Sequence, residues 1–334
     1  MNAVKIYVTA RNDAIFPRYF PRHQLERLEK LGEVEYWPHE RTMTREELAE
    51  ILPETEILVT HWGTPQVDAE LLAKAPKLKL LAHAAGTVAH IASEAFYEKG
   101  IPVLSANPIM AKYVAEGALA YLLAGLRLLP QHDDWARENN WERHAAEQRN
   151  LFGARIGFVG CGAAAREFLE LLRPFGCDVA VYDPYLPENG LDRWEFAHGA
   201  ALEEVMSRPI VSVHAAQTPE TYHMINAERL RMMPDGAILI NTARGSLIDT
   251  AALIPEVQSG RIFAILDVYE EEGPGCIPEE LIACKGNTIL QPHLAAAVNW
   301  PMTAGIIDDI GRFLKGEELQ LTVSLGQYRL MTQE

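Results

Sequence analysis

The feature that most constrains this chain is one stretch, residues 155–183. Arg155-Ile156-Gly157-Phe158-Val159 is an apolar run long enough for a buried strand. Gly160-Cys161-Gly162-Ala163-Ala164-Ala165 follows at once and fits G-x-G-x-x-G/A. Apolar residues then recur at helical spacing at Phe168, Leu171, Leu172 and Phe175, which predicts a helix over residues 166–175. A second apolar run, residues 179–182, ends on Asp183. Alone, the glycine pattern is often no more than a turn. Strand, glycine turn, helix and distal acid together predict a dinucleotide site. Gly160 allows the tight turn, and Gly162 lets the backbone approach a pyrophosphate. Ala165 is small enough for the helix to lie close to the strand. The helix N-terminus presents unpaired N–H groups and a positive dipole end to phosphate, and Ala163 and Ala164 in the turn before it are expected to touch the cofactor. Asp183 can accept from the ribose hydroxyls of NAD, and its charge repels the 2′-phosphate of NADP.

With 334 residues the chain exceeds what one core usually serves, so two domains are expected. The net charge of −16 argues against nucleic acid and against an anionic membrane surface as partners. A local arginine can still hold an anionic substrate. Cys161, Cys177, Cys276 and Cys284 show neither a C-x-x-C pair nor metal-ligand spacing, so no metal is expected. With no signal-peptide pattern they read as reduced thiols of a cytoplasmic protein, Cys161 being a small filler in the glycine loop. The longest apolar stretch, residues 114–129, is interrupted by Glu116 and Arg127 and reads as too short for a bilayer.

Strand and helix patterns alternate on both sides of this stretch. Strands are predicted at residues 4–9, 34–37, 57–60, 78–82 and 103–105. Helices are predicted at residues 20–31, 67–73 and 91–99, and another follows the capping-box pattern Thr44-Arg45-Glu46-Glu47. Asn107-Pro108 reads as a break, and residues 111–129 as a helix apolar nearly all round, buried on every side between domains or subunits. Residues 131–150, polar and carrying Trp135 and Trp141, read as a wrap over the surface or a partner subunit. Later strands are predicted at residues 210–214, 237–241, 262–267 and 288–290. Helices are predicted at residues 227–233 behind the N-cap Asn226, at 250–258 and at 300–315. The alternation predicts an α/β protein with doubly wound parallel sheets.

In such sheets ligands bind beyond the carboxyl ends of the strands. Asp183, His214, Arg244, Asp267 and His293 all sit just past predicted strands. An arginine can hold a carboxylate through two parallel hydrogen bonds. A histidine can pass a proton near neutral pH, and a carboxylate on its far ring nitrogen fixes the tautomer. Beside a nicotinamide these three groups make a hydride-transfer site. Glu270, Glu271 and Glu272 follow Asp267, and spacing does not choose among them.

These residues carry a resemblance to the D-2-hydroxyacid dehydrogenase family over nearly the whole chain. Val114-Ala115-Glu116 looks like the family's Val-Ala-Glu on the helix entering the nucleotide domain. Residues 157–165 and Tyr182-Asp183-Pro184 match its cofactor fingerprint. Residues 211–221 (VSVHAAQTPET) match the strand and loop beside adenine and ribose, which implies cofactor contacts at His214 and Thr218. Residues 241–249 (NTARGSLID) match the Arg motif, 266–272 (LDVYEEE) the Glu motif and 291–294 (QPHL) the Pro-His motif. The resemblance implies Arg244 as carboxylate clamp, Glu272 as histidine partner and His293 as general acid/base. It implies cofactor contacts at Thr242, Ala243, Arg244, Asp267, His293 and Ala295. It also implies a Rossmann-type NAD domain, residues 106–294, inserted into a flavodoxin-like substrate domain made of residues 1–105 and 295–334. A homodimer built on the long helix is implied as well.

Departures from the family pattern bear on the substrate. Ala84-Ala85-Gly86-Thr87 stands where many members read Gly-Val-Gly, and His90 stands where they have Asp. Backbone N–H groups at Ala85 and Gly86 can still hold the substrate carboxylate. His61-Trp62-Gly63-Thr64 lacks the Arg of phosphoglycerate-type members, and a C-terminal regulatory domain is not seen. His61 and Trp62 therefore point to a small or aromatic 2-keto acid. The expected activity is reversible NAD-dependent reduction of a 2-keto acid to the D-2-hydroxy acid. Two rivals are formate oxidation, which needs no His–carboxylate pair, and a non-enzymatic NAD(H)-sensing scaffold like the family's corepressors, which keeps the same site residues.

Overall fold

The computed structural model describes residues 3–141, 148–297 and 299–332. By internal contacts the chain divides into two compact units, Met1–Met110 with Val298–Glu334, and Ala111–Ala297. The second unit is thus inserted in the sequence of the first.

The first unit is built on a parallel five-stranded sheet. Its strands are β1 (Lys5–Val8), β2 (Glu33–Tyr36), β3 (Ile57–Thr60), β4 (Leu80–His83) and β5 (Val103–Ser105), in the spatial order β2-β1-β3-β4-β5. β3, β4 and β5 are buried along their whole length, so they read as continuous apolar runs, as strands covered on both faces do. Edge strand β2 alternates exposed and half-buried residues instead. The predicted capping box forms: Thr44 caps helix Arg45–Ile51, accepting from the Glu47 amide while the Glu47 carboxylate accepts from the Thr44 amide. Helix Trp300–Lys315 returns to this unit and buries Met302, Ile306, Ile307 and Ile310. Its fully buried Asp309 accepts from the Gln320 and Leu321 amides and from Arg312. That ties down the segment that runs back to β5 through the Ser105 N–H to Leu321 C=O bond.

The second unit is a parallel seven-stranded sheet. Its strands are β6 (Arg155–Val159), β7 (Asp178–Tyr182), β8 (Ala197–Gly199), β9 (Ile210–Val213), β10 (Ala237–Asn241), β11 (Ile262–Leu266) and β12 (Thr288–Leu290). The order β12-β11-β10-β9-β6-β7-β8 puts the reversal point between β6 and β9, the crevice where a doubly wound sheet binds its nucleotide. The sheets and their helices are the α/β doubly wound class expected from the alternation.

Several local expectations need correction. Asn107-Pro108 is no break: helix Asn107–Leu126 begins there, because proline in a first helical turn removes only an N–H that has no partner anyway. The helix is also not buried all round. Ala111, Ala115, Ala118, Leu122, Gly125 and Leu126 form its buried stripe, while Lys112 and Glu116 are exposed. It is long and apolar enough to cross a membrane, but this stripe packs into the core of the second unit. The helix after the glycine turn starts three residues early, at Ala163, because Gly162 itself is its N-cap. Its inward face is Ala165, Phe168, Leu169 and Leu172, leaving Leu171 37% exposed. Strand β8 and helix Leu202–Met206 have no sequence forecast, being too short for periodicity to show. Of the polar segment 131–150, residues 142–147 lie outside the described residues, and helix Leu129–Arg137 precedes them.

Helix Leu202–Met206 lies so close on β6 that a Cβ on Gly157 would come within 2.3 Å of the Val205 carbonyl oxygen. Gly157→Ala should therefore cost about 2 kcal/mol by overpacking against backbone, read as a lower urea midpoint at unchanged m-value.

Candidate active site

The glycine turn after β6 has the form a pyrophosphate needs. Gly160 has φ +93, and a side chain there would also strike the Ala215 amide. Gly162 differs: a Cβ would meet nothing within 4 Å, so the space above its backbone is open. No side chain caps helix Ala163–Leu172, so the amides at Ala163 and Ala164 remain for an anion. Asp183 is half-buried past β7, where its Oδ2 accepts from the Cys161 amide at 2.7 Å and its Oδ1 from the Tyr185 amide at 2.8 Å. These bonds fix the carboxylate and leave each oxygen a second lone pair for a ribose hydroxyl. Burial pushes the Cys161 thiol up to about 11, so it is an inert filler within the turn.

His214, at the end of β9, is not a proton carrier. Its ring packs 4.7 Å from Phe158 and 5.8 Å from Phe168, with Nε2 hydrogen-bonded to Ser212 Oγ at 2.9 Å. Burial lowers its pKa to about 3 and keeps it neutral. Thr218 opens the following turn, its amide donating to Thr221 Oγ1. Past β10, Thr242 Oγ1 is buried without a hydrogen-bond partner among the described residues, a polar atom left for a cofactor. Asn241 organises the next turn, donating from Nδ2 to the Arg244 carbonyl and accepting from the Ala243 amide. The Arg244 guanidinium donates to the Ala243 carbonyl at 2.7 Å. Gly245 is obligatory for another reason: a Cβ there would fall 1.8 Å from the Tyr269 carbonyl carbon. The arginine turn and the acidic loop after β11 therefore touch backbone to backbone.

That acidic loop sorts its own carboxylates. Glu270 accepts from the Thr250 amide and pairs with His223 Nε2 at 3.0 Å. Glu271 is exposed. Glu272 Oε2 meets His293 Nδ1 at 2.8 Å. His293 itself stands at φ +56, an uncommon conformation for a residue with a side chain. Asp267 holds it there. The Asp267 carbonyl accepts from the His293 amide at 2.7 Å, and its carboxylate accepts from the amides of Leu294 and Ala295 and from the Tyr121 hydroxyl. Gly117 of the long helix lies flush against Ala295, with room for no Cβ.

In the first unit the predicted residues again sit past strand ends. His61, after β3, is 7% exposed, and its ring packs on Tyr19, Phe20 and Trp62. Burial, reinforced by Arg11, lowers its pKa to about 4. After β4, Ala85 and Gly86 are buried, and their amides have no acceptor among the described residues. Ser105 Oγ donates to both of their carbonyls, which holds the turn with its amides available. His83 beneath them is fully buried, bonded through Nδ1 to Thr60 Oγ1 at 2.9 Å, and burial holds it neutral. Tyr19, His83 and Tyr121 were not singled out from sequence. Tyr19 and Tyr121 lie within helices, where nothing local distinguishes them from core aromatics. Among the described residues no three His, Cys, Asp or Glu side chains are grouped to hold a metal.

Residues 119–295 match the family model described as D-isomer specific 2-hydroxyacid dehydrogenase, NAD binding domain. The chain belongs to the D-isomer specific 2-hydroxyacid dehydrogenases. Its second unit is accordingly the NAD-binding domain of this family, and NAD is the cofactor class. This family member is 33% identical over 316 residues to the glyoxylate reductase of Thermococcus litoralis, covering 90% of this chain and 93% of that one. It is 32% identical over 312 residues to the D-3-phosphoglycerate dehydrogenase of Methanocaldococcus jannaschii. That match covers 91% of this chain but only 58% of the relative's length. The solved D-lactate dehydrogenase of Aquifex aeolicus, complexed with NAD and lactic acid, is 25% identical with a TM-score of 0.71. It covers 94% of this chain, which covers 96% of it.

Three neutral buried imidazoles make the fold acid-sensitive. His61, His83 and His214 all titrate below the ordinary value of 6.5, so below that pH the unfolded chain takes up protons that the folded chain refuses. Their stabilising effect is complete above about pH 6.5 and is lost as pH falls, at about 1.4 kcal/mol per pH unit for each group. For His61 the loss ends near pH 4 and for His214 near pH 3. Urea midpoints measured from pH 7 to pH 5 should fall steeply, and His214→Gln should flatten that slope by about one group's share.

Proposed function

We propose that this protein reduces a 2-keto acid to the D-2-hydroxy acid with NADH and runs the reverse oxidation. The observation that carries the reading is the 2.8 Å contact between Glu272 and His293 Nδ1, on loops that follow β11 and β12 of the NAD-binding unit. Bound NADH supplies the hydride that adds to the keto carbon. Glu272 keeps a proton on Nδ1, so Nε2 is the nitrogen that gives a proton to the developing alkoxide. In the oxidation direction the same nitrogen takes that proton back. Arg244 pairs with the substrate carboxylate and polarises the adjacent carbonyl.

Substrate binding is assigned to residues 1–105 with 295–334, and NAD binding to residues 106–294. Asp183 favours NAD over NADP, because a 2′-phosphate would meet its charge. Formate oxidation releases no hydroxyl proton and would leave the Glu272–His293 pair without work. The free state of all four cysteines fits a cytoplasmic enzyme. Leu119, Leu123 and Ala124 on helix Asn107–Leu126 are only partly buried within the chain, which suits pairing with a second copy.

The test is NADH consumption across glyoxylate, hydroxypyruvate, pyruvate, 2-ketoisocaproate and phenylpyruvate. Turnover of at least one is expected, and tight NADH binding with none consumed would favour a scaffold instead. His293→Ala should lower kcat about 10²–10⁴-fold on the best substrate. Glu272→Gln should also lower kcat, whereas Glu270→Gln should retain it, since Glu270 braces Thr250 and His223.

A further inference from the structure

Two histidine–carboxylate pairs hang on the acidic loop after β11, and the proposed reaction uses one of them. The second is His223 with Glu270, Nε2 to Oε2 at 3.0 Å. A carboxylate only accepts, so the ring donates from Nε2. Both histidines stand at positive φ, His293 at +56 and His223 at +47. Tyr222 stacks on the His223 ring at 4.0 Å between centroids, with 14° between the planes, which holds the ring's orientation.

Stability does not account for this second pair. Its side chains are 29% and 32% exposed, and an ion pair so open to water adds little. A side chain at φ +47 works against it. Its connections account for it better. The His223 amide donates to the Ser246 carbonyl at 2.8 Å, two residues past Arg244. The Ile225 amide donates to the Leu247 carbonyl, and the Ile225 carbonyl accepts from the Asp249 amide. Residues 223–225 are thus stitched along the arginine turn. On the other side, Glu270 Oε1 accepts from the Thr250 amide at 3.1 Å, at the start of helix Thr250–Gln258. The arginine turn and the acidic loop touch at Gly245 and Tyr269. Among the described residues no backbone hydrogen bond joins residues 243–249 to residues 268–272. Contact without a bond limits how near two segments come but does not keep them together. Glu270 supplies bonds that cross, to Thr250 directly and to the Ser246 turn through His223.

We propose that His223 and Glu270 are positioning residues for Arg244: the pair draws the arginine turn onto the acidic loop and so sets where the guanidinium meets the substrate carboxylate. The proposal rests on the dehydrogenase reading given above, with Arg244 as the carboxylate clamp. The carboxylate keeps its charge while the hydride moves, so a displaced clamp weakens substrate and transition state alike. The loss therefore appears in KM and spares kcat. The proton path through Glu272 and His293 does not pass through the pair.

The test uses the full chain with NADH, the best-consumed acid of the panel, and oxamate, an unreactive stand-in for a 2-keto acid. His223→Gly removes the ring and relieves the backbone. It should raise KM about tenfold, and weaken oxamate binding to the NADH-loaded protein as much, with kcat within about twofold. Its melting temperature should hold or rise, because glycine adopts φ +47 without strain. His223→Gln, whose amide nitrogen reaches about as far as Nε2, should recover most of the affinity. Glu270→Ala should raise KM less when added to His223→Gly than when made alone, since the pair is already broken. An unmoved KM and oxamate affinity in His223→Gly overturn the clamp and leave the dehydrogenase reading standing. So does a joint fall of kcat and melting temperature, which marks a purely structural role. If no acid is consumed, the dehydrogenase reading falls. Calorimetric titration of oxamate then decides the clamp: binding about tenfold weaker in His223→Gly supports it, and equal or absent binding overturns it.

Discussion

A carboxylate with almost no contact with water organises the chemistry of the NAD-binding unit. Asp267 is 1% exposed at the end of β11. A charge so placed is tolerable only when its lone pairs are filled. They are filled here by the amides of Leu294 and Ala295 and by the hydroxyl of Tyr121. Burial, and then the nearby Asp267 charge, push the Tyr121 phenol up to about 12, so it stays a donor. The requirement works in both directions. The carboxylate needs the loop amides, and the loop needs the carboxylate to hold His293 at a backbone angle it would not adopt freely. The long helix enters the same arrangement through Tyr121 and through the flush contact of Gly117 with Ala295.

Much of this was legible in the chain because parallel strands buried on both faces announce themselves as uninterrupted apolar runs. β3, β5, β6, β10 and β12 fall on the residues expected, and the residues after the runs were the ones to inspect. What stayed hidden follows from physics that local pattern does not carry. The helix start at Ala163 depends on a glycine acting as a cap without a side chain, which leaves no capping residue to recognise. The long helix looked uniformly apolar because alanine and glycine fill its stripe, and the exposed Lys112 and Glu116 were outvoted. The choice among Glu270, Glu271 and Glu272 could not come from spacing, since it is made by partners distant in sequence: His223 and Thr250 for one, His293 for another. The aromatic packing around His61 was half visible. His61 and Trp62 adjoin a strand end, but Phe16 and Tyr19 reach it from a four-residue helix with no periodicity to read.

Both units place polar groups beyond strand ends. In the NAD-binding unit Asp183 and Arg244 are half-buried and Glu272 exposed, while Asp267 is buried and filled by backbone amides and His214 is kept neutral by burial. Those in the first unit are imidazoles held neutral by burial, with backbone amides beside them. Neutral surroundings suit a site that receives an anion and a carbon skeleton. Charged and braced groups suit one that moves a proton.

The missing side chain at Gly245 has a consequence for how such an enzyme can change over generations. The turn bearing Arg244 and the loop bearing Glu272 share one surface, backbone on backbone, with no side chain between them to absorb an adjustment. A substitution that shifts the first displaces the second. On the proposed reading, the clamp for the acid group and the support for the proton carrier are therefore inherited as one piece, and a change made in either turn is felt in both.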